Sequence, residues 1–308
     1  MKLIAPGYYP RFRCIAEQCR HSCCIGWEID VDDESMEKYR ALGGELGAEI
    51  RASIVTGADG TAHFRLAERE RCPFLNDKGL CRMILGFGED VLCQICRDHP
   101  RFYNEFSHCT EAGLGLTCEA AAHLILSETA PLSLTVQEDD GGSEQPDEYE
   151  EYLLALRGNL FALLEDDTWS LDERLENILD LCGVSIPEKS GAEWAEIYRS
   201  LERLDGAWDT VLDTLSGKNI PLASRWDRPF LNLTAYFLYR HIPAALTGSE
   251  PELYAAFAVL STRILRRLFA AAPRQDMDTL VELARMYSSE IEYSTENMDA
   301  LLDLLCAQ

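Results

Sequence analysis

Ten of the twelve cysteines in the 308-residue chain fall within residues 1–118: Cys14, Cys19, Cys23, Cys24, Cys72, Cys81, Cys93, Cys96, Cys109 and Cys118. Four of them crowd one stretch, Cys14-Ile-Ala-Glu-Gln-Cys19-Arg-His-Ser-Cys23-Cys24. Thiols at this density bridge, bind metal or attack a substrate. Disulfides need an oxidising compartment. The opening MKLIAPGYYPRFRC has no apolar stretch of signal-peptide length, so the expected address is cytoplasmic. So many thiols together argue against a single catalytic nucleophile. Metal remains, and thiolate suits both zinc and iron–sulfur clusters. The close spacing resembles a cluster-binding segment more than a zinc ribbon, whose repeated C-x2-C knuckle has one counterpart here, Cys93-Gln-Ile-Cys96. Arg11, Arg13, Arg20, Arg71, Arg82, Arg97 and Arg101 flank the cysteines, and a cation beside a thiol favours the thiolate that a metal needs. Cys182 and Cys306 sit in apolar helical patterns and read as small core residues.

Other residues join this chemistry as candidates. Trp27 follows the Cys23-Cys24 pair and is placed to shield a cluster from solvent, which tunes its potential. Pro100-Arg101, just after Cys96, is placed to aim a charge at a cluster or at a cofactor carboxylate. For each, an ordinary core tryptophan or surface arginine is the plain alternative. His21 and His108 stand beside cysteines as candidate ligands or supporting groups. Arg240, between Tyr239 and His241 in an apolar helix, needs a partner if buried. Glu290 and Glu292 are candidates for that partner, or for gripping a substrate lysine. Phosphate-binding and nucleophile-elbow motifs are missing, and Gly113–Cys118, GLGLTC, is a weak glycine-rich loop at best.

Net charge is −25, about −4 in residues 1–118 and −21 beyond. So acidic a body repels a phosphate backbone, which excludes nucleic acid as an expected partner. A cationic partner, such as a lysine on another protein, is tolerated. No apolar run reaches membrane-spanning length.

Short alternating stretches, IGWEIDVDD and TAHFRLAE, predict strands beside the thiols. DDESMEKYRALGGELGAEIRASI predicts one or two short helices broken at Gly43-Gly44, and Asn76-Asp77-Lys78-Gly79 predicts a turn between Cys72 and Cys81. A helix is expected from about Thr117, which would cap it. Residues 138–148 hold no apolar side chain. Beyond them apolar residues recur at three- and four-residue spacing, as in SLDERLENILDLCG and EPELYAAFAVLSTRILRRLFAAA. The expected fold is mainly α: a Cys-rich α+β metal-binding module over 1–134, an acidic linker or loop over 135–148, and an α-helical bundle over 149–308.

Several segments together carry a family resemblance: FRCIAEQCRHSCCIGWEIDVD, CPFLNDKGLCRM, GEDVLCQICRDHPRFY, LGLTCEAAAHLIL, LDERLENIL, YFLYRH and SSEIEYSTEN. The chain resembles the flagellin lysine-N-methylase (FliB-type) family, with a cysteine skeleton similar to that of YkgJ-type zinc- or iron-chelating proteins. Eight cysteines match that skeleton: Cys14, Cys19, Cys23, Cys24, Cys72, Cys81, Cys96 and Cys118. Cys93 and Cys109 fall outside it. The resemblance implies a [4Fe-4S] cluster on the matching thiols, with zinc as the alternative metal. It also implies methyl transfer from S-adenosylmethionine to lysine side chains of a flagellin-like protein. Two departures stand out. Tyr293 occupies the histidine position of the usual IEHS, and Gly26 stands where the C-x3-C-x2-C of radical S-adenosylmethionine enzymes would place a third cysteine. A non-enzymatic, metal-stabilised helical module for protein interaction is the competing expectation.

Overall fold

Strand pairing ties the first residues of the chain to residues 109–114 and 134–139. The structure is a computed structural model that describes every residue except Asp59, Ser143, Lys218, Asn219 and Gln308. In chain order its strands are β1 (Lys2–Pro6), β2 (Ile54–Thr56), β3 (Ala62–Phe64), β4 (Arg101–Glu105), β5 (Cys109–Leu114) and β6 (Leu134–Asp139). The helices are α1 (Asp33–Ala41), α2 (Gly44–Ser53), α3 (Arg82–Phe87), α4 (Gln94–Asp98), α5 (Glu119–Leu126), α6 (Glu148–Glu165), α7 (Leu171–Cys182), α8 (Gly191–Ser200), α9 (Ala207–Asp213), α10 (Asp227–His241), α11 (Pro251–Ala271), α12 (Met277–Tyr287) and α13 (Thr295–Cys306). The protein is mainly α, with an α+β amino-terminal part, as the sequence patterns predict.

The chain divides into two compact units. One is continuous, Arg13–Arg101; the other joins Met1–Phe12 to Phe102–Gln308. This differs from the expected split at 135–148. Part of the acidic stretch is β6, which pairs antiparallel with β1, Ala5 opposite Thr135. Pairing at a sheet edge uses backbone groups alone, so a run poor in apolar residues can still be a strand.

In the unit 13–101, Asp32 caps α1 by accepting from the Ser35 amide, and Gly44 (φ 76°) starts α2 after the predicted break. The two alternating stretches do meet: Asp30 bridges His63 of β3, and β3 pairs with β2. Asn76 Oδ1 accepts from the Lys78 and Leu80 amides and closes the predicted turn. A small core of Ile29, Tyr39, Ile50, Phe64 and Phe74 fills this unit, and the Cys72 and Cys93 side chains belong to it.

In the other unit the sheet order is β4-β5-β1-β6, with β1 parallel to β5. GLGLTC is no nucleotide loop: Gly113 lies in β5, where a Cβ would come within 2.1 Å of the Phe102 ring. The expected cap of α5 is also displaced. Cys118 occupies the cap position, and the Thr117 hydroxyl bonds Ser289 instead. Among the helices, α7 shows why the pattern was readable. Ser170 and Glu173 form a capping box, Leu171, Leu175, Ile178 and Leu179 are buried, and Gly183 ends the helix left-handed. Each such leucine contributes about 1.5–3 kcal/mol on burial. Helices α10 and α11 pack together and are buried nearly all round. No helix among the described residues is long and apolar enough to cross a membrane.

Candidate functional site

Within the unit 13–101 the structure gathers five thiols: Cys24, Cys72, Cys81, Cys93 and Cys96. Each arrives on a short, tightly bonded segment. Cys72 donates its amide to the Cys24 carbonyl at 2.8 Å, and the neighbouring residues Ile25 and Arg71 form a bridge. Cys81 pairs with Leu75 and caps α3, while Cys93 caps α4 and Cys96 sits inside it. Asp32 ties α1 to α4, because its second carboxylate oxygen accepts from the Gln94 amide at 2.8 Å. Burial pushes the Asp32 carboxyl up, but its hydrogen bonds, led by the Gln94 amide, outweigh that and hold it below the usual aspartate value.

The five sulfurs act on one another. Cys72 lies within electrostatic reach of Cys24, Cys81 and Cys93, and Cys96 within reach of Cys93, Cys24 and Cys72. Backbone amides point at several of them: Phe74 at Cys72, Met83 and Ile84 at Cys81, and Cys96 at Cys93. Amides converging on sulfur are the pattern of an anion-holding nest, as at many iron–sulfur sites. Their protonation is split. A hydrogen bond from Cys23 holds the Cys24 thiol down to about 7, helped by Ser22 and Arg71 and opposed by burial. The Cys96 thiol keeps Cys93 below the usual thiol value, and that bond together with burial drives Cys96 up. Burial pushes Cys72 up to about 12 and raises Cys81. Cys24 and Cys93 are thus the more readily ionised of the five, and a cationic group beside the others would favour their thiolates.

Tyr39 marks the same place. It is fully buried, its hydroxyl hydrogen-bonds the Cys93 sulfur, and Cys93, Cys96 and Asp32 are the charges that act on it. That bond helps hold the Cys93 thiol below its usual value, so the buried hydroxyl favours a thiolate at this place. No disulfide joins any of the twelve cysteines. Among the described residues, no three His, Cys, Asp or Glu side chains converge in the geometry that holds a single metal ion. The donor set, all sulfur and served by amides, nevertheless fits a thiophilic metal group.

The other predicted residues are distributed around this nest. Cys23 is exposed and bonds Cys24. Cys14 is exposed and accepts from the Ala16 amide at 3.4 Å, and Cys19 donates to the His21 carbonyl at 3.2 Å. Cys118 and Cys109 belong to the other unit. Trp27 donates its indole N–H to the Cys23 carbonyl and packs against His99, ring centroids 6.0 Å apart. Arg101 donates to the Arg97 carbonyl at 3.3 Å and lies near His99, which burial, aided by Arg101, lowers to about 4. The sequence pattern left Cys93 out and gave no hint of Tyr39; the C-x2-C knuckle was the signal for the first.

A second charged site lies in the other unit. A single π-helical turn, Ser288–Glu292, buries Glu292, whose carboxylate meets Arg240 at 3.3 Å, His241 at 2.7 Å and the Tyr236 hydroxyl at 3.0 Å. Arg240 thus finds its expected partner in Glu292. Glu290 instead accepts from the Leu204 and Asp205 amides. Burial pushes the Glu292 carboxyl up, but Arg240 and His241 outweigh it and hold it at about 2. Burial, opposed by the bond to Glu292, lowers the His241 imidazole below its usual value. The Arg240 guanidinium lies 4.9 Å from the Phe102 ring centre and 5.1 Å from that of Tyr293, the residue standing in the histidine position.

Two curated relatives are lysine-N-methylases. The proteins of that name from Salmonella typhimurium and Salmonella choleraesuis are 26% and 25% identical to this chain over 135 residues, 42% of the chain and 34% of their own length. The match thus spans about a third of each lysine-N-methylase. The flagellar biosynthetic protein FliU of Salmonella muenchen is 26% identical over 137 residues, 42% of the chain and 79% of FliU. No protein-family model and no solved structure matches the chain.

Proposed function

We propose that the protein is an iron–sulfur-dependent protein-lysine N-methyltransferase that uses S-adenosylmethionine and acts on a flagellin-type substrate. The observation that carries the reading is the nest of five thiols with inward amides and the buried Tyr39 hydroxyl on Cys93; the similarity to proteins named lysine-N-methylase supplies the reaction class. In this reading Cys24, Cys72, Cys81, Cys93 and Cys96 are the inner ligand set. Cys14, Cys19, Cys23 and Cys118 complete the candidates that the resemblance implies, and Arg101 and Trp27 are candidates at the cofactor. Bound there, an iron–sulfur group would supply a redox-active or Lewis-acidic centre.

The chain's own residues hold, shield and bias that place. Amides of α3 and α4 stabilise negative charge on sulfur, Arg71 lowers the Cys24 thiol, and Trp27 closes over the Cys23 backbone. Methyl transfer to an amine needs the lysine nitrogen unprotonated, and its proton leaves to solvent or a base. Protein purified without oxygen and reconstituted with iron and sulfide should be brown. It should transfer methyl groups from S-adenosylmethionine to flagellin lysines, and the C24S/C96S variant should not. A colourless protein binding one zinc with no iron, or an iron-loaded protein inert on flagellin, would defeat the proposal.

A further inference from the structure

We propose that a cavity in the unit formed by residues 1–12 and 102–308 takes an alkylammonium group, the side chain of a substrate lysine. The inference rests on the lysine-methylating reading and adds to it the place where lysine binds. The cavity measures about 260 Å³ and lies between the amino-terminal segment, α5 and α10. Pockets for drug-sized molecules span roughly 300–1,000 Å³, so this one suits a side chain rather than a whole nucleoside cofactor.

Its walls are chosen for a cation on an apolar stem. Tyr8, Ile125 and Tyr236 supply aromatic and aliphatic surface, and Tyr8 and Tyr236 are only 5% and 1% exposed. A methylene chain is accommodated by such walls, and a cation is attracted to the ring faces. Asn232 uses its side-chain N–H groups on the Ile125 and Glu128 carbonyls, at 3.3 and 2.7 Å, which leaves Oδ1 as its acceptor end. Tyr236 cannot swing away. Its hydroxyl donates to Glu292 and accepts from Arg240 and the Leu116 amide.

Glu128 is the anion of the cavity, its side chain 26% exposed. It already holds a cation, the Arg11 guanidinium, whose side chain is 53% exposed. A half-exposed arginine on a largely covered carboxylate is an exchangeable occupant, because an exposed pair is weak in water. Arg11 thus keeps the carboxylate neutralised until a lysine ammonium replaces it. The net charge of −25 draws such a cation toward the protein.

Calorimetric titration of the full chain with Nα-acetyl-lysine methylamide at physiological salt tests this without cluster or methyl donor. The lysine compound should bind, and its norleucine and arginine counterparts should bind at least about tenfold more weakly, the scale of a hydrogen bond to a charged group. E128Q should weaken lysine binding by a similar factor, and R11A should tighten it. Equal binding of the three compounds, or E128Q binding like the parent protein, would overturn the proposal. If E128Q does not fold, R11A decides alone, and unchanged or weaker binding overturns it. Lysine binding without methyl transfer by the iron-loaded protein would defeat the functional reading and leave the cavity assignment standing.

Discussion

At the scale of single residues, the thiol nest makes two sharp predictions. Cys93 shares a hydrogen bond with Cys96 and reaches Cys72 and Cys81 electrostatically. C93S should therefore lower the iron bound per chain after anaerobic reconstitution about as much as C96S does, whereas C182S, in α7 of the other unit, should leave it unchanged. Tyr39 tests the same site by another route. Its buried hydroxyl bonds the Cys93 sulfur and lowers that thiol, so in the metal-free protein Y39F should raise the pH at which Cys93 is alkylated. If the hydroxyl serves a bound group, the same change should lower the melting temperature of the loaded protein. The thiols were legible because cysteine is scarce and its clustering is hard to mistake. Tyr39 was not, since one tyrosine in a helix pattern looks like any core residue until its neighbours are known.

Elements are what bring the five sulfurs together, and the helix caps carry much of that task. Asp32 caps α1 and also binds the first amide of α4, so one carboxylate fixes two elements beside the nest. D32A should destabilise the protein by about 1 kcal/mol, the usual worth of a cap, visible as a lower urea midpoint. D32N should restore part of the loss, because it still accepts a hydrogen bond. Since the Asp32 carboxyl is held below its unfolded value, this contribution is present above that value and is lost as the pH falls through the folded one. Helices announced themselves well where caps and spacing agreed, as in α7. The long stretch 192–217 was harder. It reads as one amphipathic run, yet it divides into α8 and α9, with Glu290 and Asn297 accepting from the backbone amides of residues 202, 204 and 205 between them. Partners supplied from 85 to 95 residues away leave no local trace in a pattern.

For the whole molecule, buried charge is the feature with the largest expected effect. Arg157 and Glu111 form a two-pronged pair at 2.6 and 2.5 Å, with side chains 4% and 2% exposed. Removing one partner strands the other, so R157A should cost about 3–5 kcal/mol in denaturant unfolding. Glu292 adds a pH signature. Its carboxyl is held at about 2 against a usual value near 4.5, so its contribution is complete above about 4.5 and is lost as pH falls toward 2. His241 acts earlier. Its folded imidazole is lowered from the ordinary 6.5, so the unfolded chain takes up a proton first, and stability begins to fall as pH drops below that value. Urea midpoints measured from pH 7.5 to 3 should therefore decline in two stages, and H241Q should flatten the upper one. That Arg240 would need an acidic partner was readable from its apolar setting. The interruption of the second unit by residues 13–101 was not, because composition shows where a chain turns acidic and not which distant segments share a sheet.

The central position of β1 has a consequence for how the chain is made. Its neighbours, β5 and β6, lie more than one hundred residues downstream. At ribosomal speeds of roughly 5–20 residues per second, the first strand waits several seconds, its edges unmatched, before either neighbour emerges. Residues 13–101 are complete by then. The sulfur-rich insert is thus fully synthesised while the sheet whose strands precede and follow it in sequence is still unbuilt, and folding of the insert can precede completion of that sheet during translation.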